Sequence, residues 1–178
     1  MLRFPNDHHY GRVEERIQKN EHPLNLLLLP NRGNAGSELG VEILGVGLVH
    51  PFFWGSTSIG SEEACGSMDP ASKSGTDRLC AFVCPSNPDN DDPRVNPMAE
   101  GGPSLVGLGC RRVLVSVAEK DLFRDMGQMY YEALGRSGWT GVTEIHETEG
   151  EGHGFHLYNP DCENAKDLIG RLAPFFNN

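Results

Sequence analysis

The amino-acid sequence predicts an α/β fold in which a mostly parallel sheet is flanked by helices. Three features carry that reading: two short strands dense in aliphatic and β-branched residues near 41–50 and 112–118, a third strand of alternating character at 141–147, and an amphipathic helix between the last two. A parallel pair needs a crossover long enough to hold a helix, so strand, helix, strand is the repeating unit of such a fold.

The first 35 residues match no such unit. The charged stretch Glu14-Glu15-Arg16-Ile17-Gln18-Lys19-Asn20 runs into Leu24-Asn25-Leu26-Leu27-Leu28-Leu29 and Pro30 with neither a helix nor a strand period. Residues 1–35 are therefore expected to be an irregular segment ahead of one domain over 36–178. Val41-Glu42-Ile43-Leu44-Gly45-Val46-Gly47-Leu48-Val49-His50, bounded by Gly40 and Pro51, reads as a strand buried on both faces. Residues 55–110 form a long connection rich in Gly, Ser, Asp and Pro, interrupted by one helix from about Thr76 to Val83. Arg112 to Ala118 is the second buried strand.

The helix over 122–134 puts Leu122, Phe123, Met126, Met129, Tyr130, Ala133 and Leu134 on one face and Arg124, Asp125, Gln128 and Glu132 on the other. Gly135 and Gly138 stop it. Gly141 to Glu147 is the third strand. A last helix starts at Asn159-Pro160, an N-cap followed by a first-position proline, with Ala165, Leu168, Ile169 and Leu172 on one side.

Composition narrows the partners. A chain of 178 residues is long enough for one core and short for two, and 22 Gly with 12 Pro raise its loop content. The formal net charge of −10, with no Lys/Arg cluster beyond Arg111-Arg112, argues against nucleic acid. No apolar run reaches the ~18 residues that span a bilayer, and Met1 to His9 lacks the apolar core of a signal peptide, so a cytoplasmic protein with no membrane partner is expected. Five cysteines, Cys65, Cys80, Cys84, Cys110 and Cys162, are odd in number and irregular in spacing, which suits reduced thiols better than disulfides.

In open parallel sheets the functional groups gather in loops just past the C-terminal strand ends. After the second strand comes Ala118-Glu119-Lys120-Asp121, and after the third comes Glu147-Thr148-Glu149-Gly150-Glu151-Gly152-His153-Gly154-Phe155-His156. A carboxylate in one loop and an imidazole in the next can meet across neighbouring strand ends, which fixes the histidine tautomer and stabilises the imidazolium of acyl transfer. Asp121 and His153 satisfy that placement. Their bland alternatives stand beside it: a helix N-cap for Asp121 and a turn histidine between glycines for His153. His146, Glu149, Glu151, His153 and His156 lack the spacing of a metal site, and the run Asp89-Asn90-Asp91-Asp92 lacks the glycine and closing glutamate of a calcium loop, so no metal or other cofactor is expected and the run is read as a solvated turn.

The wording of the chain adds to its spacing. Ile43-Leu44-Gly45-Val46-Gly47-Leu48-Val49-His50-Pro51-Phe52-Phe53-Trp54-Gly55, Asp92-Pro93-Arg94-Val95-Asn96-Pro97, Val115-Ser116-Val117-Ala118-Glu119-Lys120-Asp121 and Gly152-His153-Gly154-Phe155-His156-Leu157 resemble successive landmarks of plant carboxylesterases, in the hormone-sensitive-lipase-like branch of the α/β-hydrolases. The resemblance covers about Gly36 to the C-terminus and implies an incomplete α/β-hydrolase fold, the C-terminal part of its sheet.

It also implies Ser, Asp and His in that chain order as the catalytic triad, with Asp121 matching the acid and His153 the base. Phe52, Phe53, Trp54 and Phe155 are the candidate pocket wall for a small-molecule ester or hydrophobic ligand. The same branch includes gibberellin receptors, in which the catalytic histidine position is replaced; here a histidine stands.

No G-x-S-x-G elbow and no H-G-G-G-type oxyanion loop occurs in the sequence, and Glu14 to Pro23, where the resemblance puts the elbow, contains no Ser, Cys or Gly. Ser37, Ser116 and Cys110 stand on no strand-to-helix turn. The expectation is an ester-hydrolase lineage without activity of its own as the sequence stands, or a non-catalytic ligand-binding relative of the hormone receptors.

Overall fold

The computed structural model describes residues 43–57, 59–61, 70–83 and 90–177. The readings made for residues 1–35, Ser37, Cys65, Cys84 and Asp89 lie outside them. Three strands, β1 (Gly45–Val49), β2 (Arg112–Ala118) and β3 (Val142–Thr148), form one parallel sheet in the order β1-β2-β3. The helices are α1 (Pro70–Val83), α2 (Arg124–Arg136), the single turn α3 (Phe155–Tyr158) and α4 (Glu163–Asn177), with a 3-10 turn at Leu105–Gly107.

β2 is the centre of the sheet because it pairs on both sides, Val113 opposite Val46 and Thr143 alike. Six of its seven residues are buried, as a run of β-branched side chains covered on both faces requires. α2 crosses from β2 to β3 and lays Met126, Tyr130 and Leu134 on Val113, Val115 and Val117, with Phe53 stacked on Tyr130 at 5.1 Å. Met129 does not join that face; it is 44% exposed. The closest approach of helix to sheet is at Gly127, where an added Cβ would meet Val117 Cγ1 at 2.6 Å.

β1 departs from expectation. It is half-buried along its whole length rather than buried on both faces, since among the described residues it pairs only with β2. Its Gly45 and Gly47 lie on one face, two residues apart, and leave room for the Phe175 and Phe176 rings from the end of α4.

The helix boundaries differ for local reasons. α1 starts at Pro70, six residues ahead of the expected Thr76, because a single glycine such as Gly75 costs a helix only about 1 kcal/mol and does not stop it. α2 likewise runs through Gly135, and Gly138, at φ +83, ends the turn beyond it. Asn159 is not the cap of the last helix. Its amide closes α3 on the Phe155 carbonyl, and α4 begins at Glu163 with the Cys162 carbonyl accepting the Lys166 amide. On α4, Ala165 and Leu168 are buried and Leu172 half-buried, whereas Ile169 is 56% exposed.

The loop after α1 is anchored rather than solvated throughout. Asp92 is buried and accepts from the Arg94 backbone and guanidinium, its carbonyl accepts the amides of Val95 and Asn96, and Val95 returns its carbonyl to the Trp54 amide at 3.0 Å. The solvated-turn reading of this run fails at Asp92 because its partner, Arg94, lies two residues beyond the run.

Candidate functional site

Because the three strands are parallel, the residues that follow them emerge at the same edge of the sheet. His50 follows β1, the Glu119-Lys120-Asp121 turn follows β2, and the loop 149–154 follows β3. Backbone bonds lash the second and third together: the Glu119 amide donates to the Thr148 carbonyl at 3.0 Å and the Lys120 amide to the Glu151 carbonyl at 2.8 Å. Side chains add to this, with Glu119 Oε2 accepting the Gly150 amide and Lys120 Nζ donating to the Gly150 carbonyl at 2.8 Å.

On this frame Asp121 and His153 meet. His153 Nδ1 lies 2.8 Å from Asp121 Oδ2, with the aspartate side chain 1% exposed and the imidazole 46% exposed. Asp121 Oδ1 accepts the Phe123 amide at 2.9 Å and the Asp121 carbonyl accepts the Arg124 amide, so the same residue orders the turn into α2. It is not the N-cap itself, a position held by Phe123. The hydrogen bond to Asp121 and its negative charge raise the pKa of His153 against the opposing effect of burial. Phe123 packs edge-on against the His153 ring at 5.2 Å.

The end of β1 brings a residue that sequence reasoning missed. His50 is buried, sits at φ 47 in the left-handed region, and its Nδ1 accepts the Gly154 amide at 2.9 Å. Its ring lies 5.8 Å from His153, 5.5 Å from Phe155 and 5.2 Å from His156. Burial lowers its pKa to about 4, helped by the neighbouring His156 and His153 and opposed by Asp121, so the ring is neutral at pH 7. The signal was present: His50 ends the first strand as Asp121 and His153 follow the others.

One ligand atom each of His50, Asp121 and His153 lies within 4.8 Å of the others, a spacing that could hold a divalent ion. The hydrogen bonds compete with that use. A histidine whose Nδ1 accepts carries its proton on Nε2, so neither ring nitrogen of His50 offers a free lone pair. Both Asp121 oxygens already accept. The chemistry that this arrangement supports is proton transfer.

The aromatic residues divide. Phe52 and Phe53 line a cleft of about 530 Å³ together with His50, Leu79 and Arg94. Trp54 is fully buried, its Nε1 donating to Asp77 at 3.0 Å, and Phe155 is buried among Ala118, Ala165 and Leu168. His146 lies apart on β3, 3.8 Å from Asp167 of α4. Ser116 is fully buried within β2, and Cys110 is buried ahead of that strand's first residue. Cys80, Cys110 and Cys162 are free thiols. No described helix is long and apolar enough to cross a membrane.

The chain is 46% identical to "Probable carboxylesterase 2" of Arabidopsis thaliana over 141 residues, covering 79% of this chain and 44% of that protein. It is 47% identical to the 2-hydroxyisoflavanone dehydratase of Glycyrrhiza echinata over 137 residues, 76% of this chain and 40% of the relative. The chain thus spans less than half the length of these relatives. Among solved structures, the esterase of the archaeon Pyrobaculum calidifontis superposes with a TM-score of 0.56 at 22% identity, over 82% of this chain and 49% of its own. Residues 27–157 match the family described as alpha/beta hydrolase fold, and with its plant carboxylesterase relatives the chain belongs to that family.

Proposed function

We propose that this polypeptide is the acid–base half of a carboxylic ester hydrolase site, with His153 as the base and Asp121 as its orienter. The observation that carries the reading is the 2.8 Å bond between His153 Nδ1 and a buried Asp121 carboxylate at adjacent parallel strand ends. A carboxylate on Nδ1 fixes the proton there and leaves Nε2 to take a proton from a nucleophile and return it to a leaving group. A small-molecule ester in the cleft beside Phe52 and Phe53 is the substrate class that fits.

The nucleophile is the part the sequence does not contain. Without a serine elbow the pair has nothing to activate, and attack by water lacks the oxyanion donors, each worth about 100-fold to 1000-fold. The chain as it stands is therefore inactive by this mechanism. The alternative role, a non-catalytic binder, predicts a ligand-dependent rise in melting temperature without turnover.

Two measurements test the reading. Purified protein is offered a p-nitrophenyl acyl ester beside its His153→Ala form; the expectation is no difference between them. Robust hydrolysis that His153→Ala abolishes and a serine-directed inhibitor blocks would reveal a nucleophile in this chain. Separately, a chimera joins residues 43–178 to the N-terminal part of a carboxylesterase that carries the G-x-S-x-G elbow. That chimera is expected to hydrolyse the ester and to lose about a million-fold in kcat on His153→Ala; a folded chimera indifferent to His153 overturns the role given to the pair.

A further inference from the structure

The loop that carries His153 is tied on one side to the β2 turn, through Glu119 and Lys120, and on the other to β1 through a single imidazole. Gly154, next to His153, adopts the left-handed conformation (φ 68, ψ 14) at the N-cap of α3, where a glycine has no side chain with which to cap the turn. Its amide would be an orphaned buried donor, and the His50 Nδ1 at 2.9 Å satisfies it.

Three features of His50 go together. The residue sits at φ 47, in the left-handed region that few non-glycine residues enter and that histidine enters more readily than most, and this aims its ring at the loop carrying His153. Its own amide donates to the Ser116 carbonyl at 2.8 Å, so the backbone is pinned to β2. Its Nε2 is buried without a hydrogen-bond partner among the described residues. A buried polar side chain, pinned by its own backbone to β2, thus spends its observed hydrogen bond on the residue beside the candidate base.

We propose that His50 is a positioning residue of this site: a neutral imidazole at the end of β1 holds the Gly154 turn and so sets where His153 meets Asp121. The proposal rests on the reading of His153 as the base. It also requires one tautomer, with the proton on Nε2 and the lone pair on Nδ1 facing the Gly154 amide.

The experiment is NMR on the full chain, wild type beside His50→Phe and His50→Asn. Phenylalanine fills the ring's place without an acceptor. Asparagine tolerates the left-handed backbone and presents an oxygen near the Nδ1 position. Expected in the wild type are an unprotonated His50 Nδ1 and slow exchange of the Gly154 amide. In His50→Phe that exchange speeds at least about tenfold relative to the β3 amides, since a lost bond of about 1.4 kcal/mol is a factor of ten. The His153 titration moves back toward its ordinary value. His50→Asn restores both.

A protonated His50 Nδ1 in the wild type overturns the proposal even if His50→Phe fails to fold. A folded His50→Phe with unchanged Gly154 exchange and unchanged His153 titration overturns it as well. In the chimera, His50→Phe is expected to lower kcat about 10- to 100-fold with KM unchanged, the signature of a misplaced base. The NMR readouts need no turnover, so a chimera indifferent to His153 sinks the catalytic reading while the lock is still judged by its own signals.

Discussion

Asp121 divides its two oxygens between two tasks, one turning the chain into α2 through the Phe123 amide and one holding His153. Exchange for asparagine keeps the shape and removes the charge. Because the aspartate raises the pKa of His153, the folded protein favours the imidazolium more than the unfolded chain does. The stabilisation from that preference is full below the ordinary value of 6.5 and disappears as pH rises through the raised folded value. Asp121→Asn is expected to cost about 1 kcal/mol in urea unfolding near pH 6, where a charged hydrogen bond to a half-exposed, solvent-screened imidazole is lost, and less at high pH. A gap between the two proteins that does not narrow with rising pH would mean that the charge on Asp121 does not hold the His153 proton.

At the scale of elements, two glycines separate close packing from backbone strain. Gly127→Ala places a methyl 2.6 Å from Val117 Cγ1 and forces α2 off the sheet, an overpacking expected to cost about 1–3 kcal/mol. Gly154→Ala meets no atom nearer than 3.5 Å, so its cost is the left-handed backbone alone, about 1–2 kcal/mol. Melting curves of the two variants check both, and a neutral Gly127→Ala would mean that the helix has room to move. The elements legible in the sequence were those whose signal is local. β2 declares itself by seven consecutive strand residues, and α2 by the spacing of Met126, Tyr130 and Leu134. The burial of β1 was not legible, because it depends on what pairs with its second edge. Nor was the start of α4, where Asn159-Pro160 imitates a cap and Cys162 supplies the carbonyl. Asp121 and His153 could be placed from strand-end loops, and the same rule reaches His50 at the end of the first strand, but its partner was not legible, since the Gly154 amide lies 104 residues away.

Over the whole molecule the two histidines at the sheet edge titrate in opposite senses. Burial lowers the pKa of His50 to about 4, so the unfolded chain takes up a proton at 6.5 that the fold resists. Stability from this group is full above 6.5 and falls as pH drops toward about 4, the reverse of the His153 contribution. His50→Asn is expected to flatten the acid side of the stability profile while the alkaline side keeps its slope. An unchanged fall between these two pH values would mean that other groups dominate the acid limb.

The hydrogen bond from Gly154 to His50 also bears on the order of assembly. The contact between Asp121 and His153 closes a loop of 32 residues within the strand, helix, strand segment, whereas the His50 bond closes one of 104. Loop-closure entropy grows with length and long-range pairings are slow to form. The pair can therefore meet while β1 is still undocked, and its final geometry is set only when the distant strand arrives. Chain separation thus favours a base that meets its carboxylate first and is locked in place afterwards.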